Sequence, residues 1–513
     1  MGTEVAPSVA SVILALILVG FIVVVWYSGY VSKAEIIKPT GNLVSAFNSQ
    51  RWWSLACSFF AAAFGASALV ANPEAGATGG WLQVFCYGIA NGMPYFLLST
   101  LGPRMQSFFK TQNFTVADFV RKRYGMPMYV PTVILSLFFL FIWLTAELTS
   151  IADSFSLLSP GFYTPAAVVC VGFGVAMYAL FAGFKGSLLT DRIQAVMALL
   201  CTFALITAVA CYVKPSKQAW SEASSATSVG EGISGGIVLI LSTTLNQFLD
   251  LGSWQRVFAS EDKKQARIGL FVAGSVNFLC QALMTFMGIY AMAAAVAGEI
   301  ALMPGDEALG FYILLSKIPL GFNVIALVCV LTLSISTVDS IENSLASAFA
   351  ELMLEKNVSL NWARGFALLL VGLAVGLATT QQSVLSLFLF SNIFASCIVP
   401  PIFLGLSYTM ATTTSALGGF ISGVLTIFII GWSYQKSFVE GLKWPMFPEG
   451  FNHWATLLTF ILCPVVATLV TISVAKAWPS QDTHSLHSTL TGPEVAWTAD
   501  SETEMESPYG NTI

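Results

Sequence analysis

The sequence predicts an all-α polytopic membrane protein of about thirteen transmembrane helices, and three observations carry that prediction. Apolar segments of bilayer-spanning length recur along all but the ends of the 513 residues. The chain is 56% hydrophobic and only 10% charged, with a mean hydropathy of +0.77, far from the range of soluble proteins. Basic residues also alternate in step with the segments. With the N-terminus outside, seventeen of the 22 Lys and Arg fall in inner loops or inner span ends, and only Lys214, Lys217, Lys317, Lys436 and Lys443 lie outside.

The spans read 8–30, 51–71, 80–103, 128–152, 164–182, 188–213, 233–251, 267–297, 321–351, 360–380, 384–406, 412–434 and 454–477. The first has only Glu4 as a charge ahead of it and is too long for a signal-peptide core, so it is expected to be a retained helix. All nine cysteines fall inside spans without CxxC spacing, which suggests neither a disulfide framework nor a zinc site. Residues 478–513 carry six acids, many Ser, Thr and Pro, and no Lys or Arg; this acidic tail is expected to be disordered in the cytoplasm. The organisation is then 1–50 (first helix and inner loop), 51–213 and 233–406 (two five-helix blocks), 412–477 (two further helices) and the tail.

Ionisable residues are costly at membrane depth, so Glu147, Asp191, Asp250 and Asp339 are functional candidates. In span 2, small residues centred on Gly65 suit a helix that opens and presents bare carbonyls, with an end expected at Asn72-Pro73-Glu74. Close packing of small residues is the competing account. Span 7 opens on Ser234-Gly235-Gly236 and carries Thr243, Asn246, Gln247 and Asp250; as a continuous helix it would put Asn246 and Asp250 on one face. In span 9, Ser336 or Thr337 lies beside Ser340, and hydroxyls facing open carbonyls are hard oxygen ligands suited to an alkali cation. Asp339 and Glu342 fall on another face, expected to meet polar partners or the inner aqueous side. Because five is odd, the second block runs inverted relative to the first, and each begins with a glycine-bearing helix. Inverted repeats with broken helices are the layout of secondary transporters.

Four stretches resemble the sodium/solute symporter family. They are Thr115–Gly125 after span 3, Ala182–Ser187 followed by Thr190-Asp191-Arg192-Ile193-Gln194, Trp254-Gln255-Arg256 followed by Ala259-Ser260, and Ser336-Thr337-Val338-Asp339-Ser340. The resemblance implies a LeuT-like five-plus-five core and sodium-coupled uptake. It also implies a sodium site formed by the carbonyls of Ala61, Phe64 and Leu333 with the hydroxyls of Ser336 and Thr337, supported by Asp191. Sugar-transporting relatives have an acid near Cys86 and a lysine in span 8, which has none here, so a hexose is disfavoured. Ala63 stands where proline-transporting relatives often have an acid. Residues 250–260 look nearest the urea-transporting branch, apart from Leu251, Val257 and Phe258.

The expected activity is therefore symport of a small polar solute, urea-like on this resemblance, contacted by Ala68, Thr243, Asn246, Gln247 and Asp250. A proton carried by Asp250 or Glu147 is the alternative coupling ion, and a passive channel the alternative mode. The three histidines (His453, His484, His487) lie in an outer loop and the tail, and no phosphate-binding glycine loop is found, which argues against an enzyme or an ATP-driven pump. The partners called for are the solute, Na+ and the bilayer of the plasma membrane, with no cofactor and no nucleic acid; oligomeric state is not encoded. The sequons at Asn113 and Asn357 lie on loops placed inside. Both are expected to stay unglycosylated, and an endoglycosidase-sensitive gel shift traced to either would reverse the orientation.

Overall fold

Hydrocarbon offers no water to a backbone that crosses it, so the crossing chain must satisfy its N–H and C=O groups within helices. The computed structural model describes residues 4–31, 49–108, 116–353, 360–380, 382–447 and 449–479, and it is helical apart from short joints. The helices are α1 (Pro7–Val31), α2 (Trp52–Ala63), α3 (Ala68–Phe108), α4 (Val116–Tyr124), α5 (Met126–Leu158), α6 (Thr164–Tyr212), α7 (Lys217–Ser225), α8 (Val229–Gln247) and α9 (Leu251–Ala259). They continue with α10 (Lys263–Val296), α11 (Gly310–Leu315), α12 (Leu320–Met353), α13 (Leu360–Ala378), α14 (Val384–Ser407), α15 (Thr413–Gln435), α16 (Phe438–Leu442) and α17 (Trp454–Ala477). Two of these are helix pairs joined at a left-handed glycine: α3 turns at Gly80 (φ 68°) and α6 at Gly183 (φ 66°), conformations that a Cβ would strain.

Among the described residues eleven helices are long and apolar enough to cross a membrane, and Trp52–Ala63 and Thr164–Ala179 are shorter apolar helices. The all-α polytopic class with about thirteen crossings thus holds. The acidic tail from residue 480, the loop with Asn113 and Thr115, and the loop with Asn357 lie outside the described residues, and so does most of the inner loop after α1.

Three expectations need correction. Span 2 does not end at Asn72-Pro73-Glu74: after a break at 64–67 the helix runs on through Pro73 to the turn at Gly80, as a separate half-helix, residues 68–79. Span 7 is not interrupted at Ser234-Gly235-Gly236. Those glycines are buried in continuous α8, where a Cβ on Gly235 would strike Asn452 and one on Gly236 would meet Cys86, so they serve close packing. The true interruption is at 248–250, between α8 and α9, which takes Asn246 and Asp250 off a common helical face.

The start of the first broken helix and the end of the second are tied together. Gln50 N–H donates to Ala259 O (2.9 Å) and Glu261 N–H to Gln50 O (2.9 Å), so the approach to α2 pairs with the exit from α9. The half-helix 68–79 packs on α10 so closely that a Cβ on Gly288 would overlap the carbonyl of Pro73. Backbone cannot give way there. Gly288→Val is expected to destabilise by about 1–3 kcal/mol or more, read as a fall in the melting temperature of the detergent-purified protein.

Candidate functional site

The first break is built from residues with little side chain to pack. Phe64 leaves helical geometry (φ −100°, ψ 79°), and Gly65, Ala66 and Ser67 connect to a new helix that starts at Ala68. The last carbonyls of α2 are left without N–H partners from the next turn. One of them, Ala61 O, faces the Thr337 hydroxyl of α12 at 3.5 Å. Ala61, Phe64, Leu333, Ser336 and Thr337 are all buried, so the space between the break and this stretch of α12 lies inside the protein, with the Ala61 carbonyl and the Thr337 hydroxyl across it.

Asp191 of α6 stands behind that space. Its carboxylate accepts from Ser336 Oγ (2.8 Å) and from Ser58 Oγ of α2 (2.5 Å), and pairs with Arg256 of α9 (3.3 Å). Arg256 also donates to Ser58 Oγ (2.7 Å), Ser340 Oγ (2.6 Å) and Gly252 O (3.1 Å), and its guanidinium lies over the Phe184 ring. Asp191 is wholly buried and Arg256 2% exposed, so each charge depends on the other. The network joins α2, α6, α9 and α12.

The second break is satisfied by its own side chain. Asp250 caps α9, accepting from Gly252 N (3.0 Å), Ser253 N (3.1 Å) and Ser253 Oγ (2.6 Å). It also accepts from Gln247 Nε2 at 3.2 Å. Asp250 therefore stands one layer behind the cavity that α8 borders.

That cavity, of about 80 Å³, is lined by Ala63, Ser67, Ala68 and Asn72 of the first broken helix and by Thr243, Asn246 and Gln247 of α8. Asn91, Gln281 and Asn392 add amides, and Phe139, Trp143 and Phe388 add rings. Several of its donors are already used. Asn72 donates to the side chain and carbonyl of Gln281, Gln247 to Asp250 and Ser253, and Asn91 to Tyr87 O. Ser67 Oγ donates to the buried carboxylate of Glu147. Asn246 Oδ1, by contrast, is buried without a donor.

Of the substrate candidates read from sequence, Ala68, Thr243, Asn246 and Gln247 thus reach one cavity, and Asp250 does not line it. Asp339 and Glu342 are not at an aqueous surface. Both are fully buried: Asp339 accepts from Thr190 and Asn343, while both oxygens of Glu342 lack a hydrogen-bond partner. Arg256 was visible only as part of a motif, and Asn72, Trp143, Gln281 and Asn392 were not singled out. An amide or indole within an apolar span was the available signal, but several others in this chain have no such place.

Half-helices broken at mid-membrane around a cavity define a secondary transporter. The sodium:solute symporter family model matches residues 46–423, and the chain belongs to that family. It is a membrane transporter working by secondary active symport, not an enzyme. The spermidine transporter DUR31 of Candida albicans is 27% identical over 448 residues, 85% of this chain and 84% of that protein. A Na+-coupled sialic acid symporter, solved substrate-bound and outward-open, superposes with a TM-score of 0.70 at 15% identity, covering 91% of this chain and 99% of its own. MHP1, a nucleobase-cation-symport-1 family transporter solved closed with bromovinylhydantoin, gives 0.53 at 14% identity, covering 89% and 100%. Both likenesses bear on the fold, a LeuT-like core.

Removing one member of a buried ion pair strands the other. Asp191→Asn and Arg256→Met are each expected to cost about 3–5 kcal/mol, and the double variant distinctly less than their sum. Melting temperatures of the three purified variants test this, and strict additivity would show that the pair does not act as a unit.

Proposed function

We propose that the protein is a sodium-coupled symporter of a small N–H-rich organic solute, working by alternating access across the plasma membrane with its N-terminus outside. The observation that carries the coupling ion is the facing of the open Ala61 carbonyl and the Thr337 hydroxyl, with Ser336 held beside them by Asp191. An alkali cation prefers such uncharged hard oxygens with a carboxylate nearby. Sodium would be held by the carbonyls of Ala61, Phe64 and Leu333 and the hydroxyls of Ser336 and Thr337, with Asp191 supporting it through Ser336. An ion bound there stabilises the broken conformation by answering carbonyls that the membrane leaves unpaired.

The solute would occupy the amide-lined cavity against Ala68, Thr243, Asn246 and Gln247, with Asp250 orienting Gln247. Asn246 Oδ1 awaits a donor, and with the N–H groups of Asn72, Asn91 and Gln247 given to protein acceptors their side-chain oxygens remain to accept, so a solute that brings N–H groups complements them. Ring faces at Phe139, Trp143 and Phe388 suit an ammonium centre. The relative named as a spermidine transporter points the same way and gives no support to the urea-like expectation. About 80 Å³ accommodates one aminoalkyl end of such a solute, the rest requiring an opened conformation.

Ion and solute share the first broken helix, the ion through Ala61 and Phe64 and the solute through Ala68, and by linkage each tightens the other by the same factor. In proteoliposomes with an inward sodium gradient, labelled spermidine is expected to accumulate above equilibrium. Collapsing the gradient should abolish accumulation, and Ser336→Ala should raise the half-saturating sodium concentration by about tenfold or more. Uptake that follows pH in sodium-free buffer would replace sodium with a proton. Uptake that never exceeds equilibrium would make the protein a channel.

A further inference from the structure

A helix that starts inside the membrane presents free N–H groups and the positive end of its dipole, a ready place for an anion. In transporters built from broken helices, such starts point at the anionic group of the solute. Residues 68–79 form a helix of this kind, and here the protein itself fills the position. Ser67 Oγ donates to one oxygen of Glu147, and Ser67 N–H to the other at 3.4 Å. Both oxygens thus lie within hydrogen-bond reach of Ser67 donors, an arrangement that a carboxylate can accept.

The fit is close on the opposite side as well. A Cβ on Gly65 would run into the Glu147 carboxylate, so the unwound segment has been thinned to admit it. Glu147 is fully buried in α5, and no ion pair reaches it among the described residues. Its charge is opposed only by the hydroxyl, the N–H groups and the helix start. The cavity begins one residue away, since Ser67 and Ala68 line it together with Trp143, one turn before Glu147 on α5.

Resting on the reading of this cavity as the solute site, we propose that Glu147 is a specificity-determining residue, an internal carboxylate that holds the anion position of helix 68–79 and thereby excludes carboxylate-bearing solutes. A solute carboxylate would need the donors that Glu147 already uses. The N–H groups of Asn72, Asn91 and Gln247 are already bound to protein acceptors, and the amides of Asn246, Gln281 and Asn392 are uncharged and bring no positive charge to balance an anion. The second anion would also lie in a low-dielectric space beside the first, where like charges repel strongly. A neutral or ammonium-bearing solute meets neither penalty.

Two probes of equal chain length isolate the effect: 1,4-diaminobutane and 4-aminobutyrate differ only in an ammonium or a carboxylate at one end. Melting temperatures of the purified full-length protein, titrated with each probe in sodium chloride, are expected to rise with the diamine and not with the amino acid. Glu147→Gln should narrow that preference by about tenfold or more in apparent affinity, and Glu147→Asp should retain it. Equal stabilisation by the two probes, stabilisation by neither, or an unchanged preference in Glu147→Gln would overturn the assignment. The wild-type comparison needs no variant, so misfolding of Glu147→Gln cannot hide a failure. Sodium-driven accumulation of 4-aminobutyrate by the wild type would remove this role for Glu147 and leave symport standing. Diamine-selective stabilisation that ignores sodium would support the role and tell against sodium coupling.

Discussion

A helix cannot be opened inside hydrocarbon unless something else satisfies the carbonyls and N–H groups that the opening releases. The chain opens two, at 64–67 and at 248–250, and handles them differently. The second is closed locally: Asp250 turns back on Gly252 and Ser253, so little is left for a ligand. At the first, the N–H side is answered by Glu147, and the carbonyls of Phe60, Gly65, Ala66 and Ser67 by backbone N–H groups, while the Ala61 carbonyl meets the long contact from Thr337. The two breaks are thus satisfied unequally, and in the proposed mechanism the first is the one whose open carbonyl oxygen serves an ion.

The buried pair of Asp191 and Arg256 follows from the same economy of polar groups. Apolar residues of similar volume would commonly stabilise a fold as well as such a pair, so stability alone does not account for it. What the pair does geometrically is bring one carboxylate into contact with Ser58 of α2, Ser336 of α12 and the guanidinium of α9 at once. In the proposed mechanism an ion drawing on the lone pairs of Ser336 acts on a hydroxyl held by Asp191, and the same carboxylate holds Ser58 and Arg256. Ion occupancy and the inner ends of both broken helices then respond to one network rather than to separate contacts.

Much of this was legible in the sequence, for physical reasons that differ residue by residue. The crossings follow from length and hydropathy, because the bilayer imposes both. The break at Gly65 follows from a run of small residues with no polar side chain to explain it. Gly235 and Gly236 carry the same local signal and yet pack against Asn452 and Cys86, since a glycine that lets a helix open and one that lets a neighbour approach look alike in one dimension. Asp250 was recognised as costly, but whether it would face a solute or cap a helix depended on a break two residues before it. The link from Arg256 to Asp191 spans 65 residues of sequence, and no periodicity connects them.

The cavity carries this reasoning one step further. Six amide side chains around a space of about 80 Å³ would be a promiscuous surface if each could offer donor or acceptor at will. Fixing the N–H groups of Asn72, Asn91 and Gln247 on protein acceptors removes that freedom at three of the six and leaves oxygens as their unclaimed function. A site then discriminates by what it would leave unpaired: a solute without N–H donors would strand Asn246 Oδ1 in a buried space, and a buried acceptor without a partner costs about 1–3 kcal/mol. Glu147 adds a charge criterion to this hydrogen-bond criterion at the same helix start. Selectivity in this site would arise less from attraction to one solute than from the penalties prepared for the others.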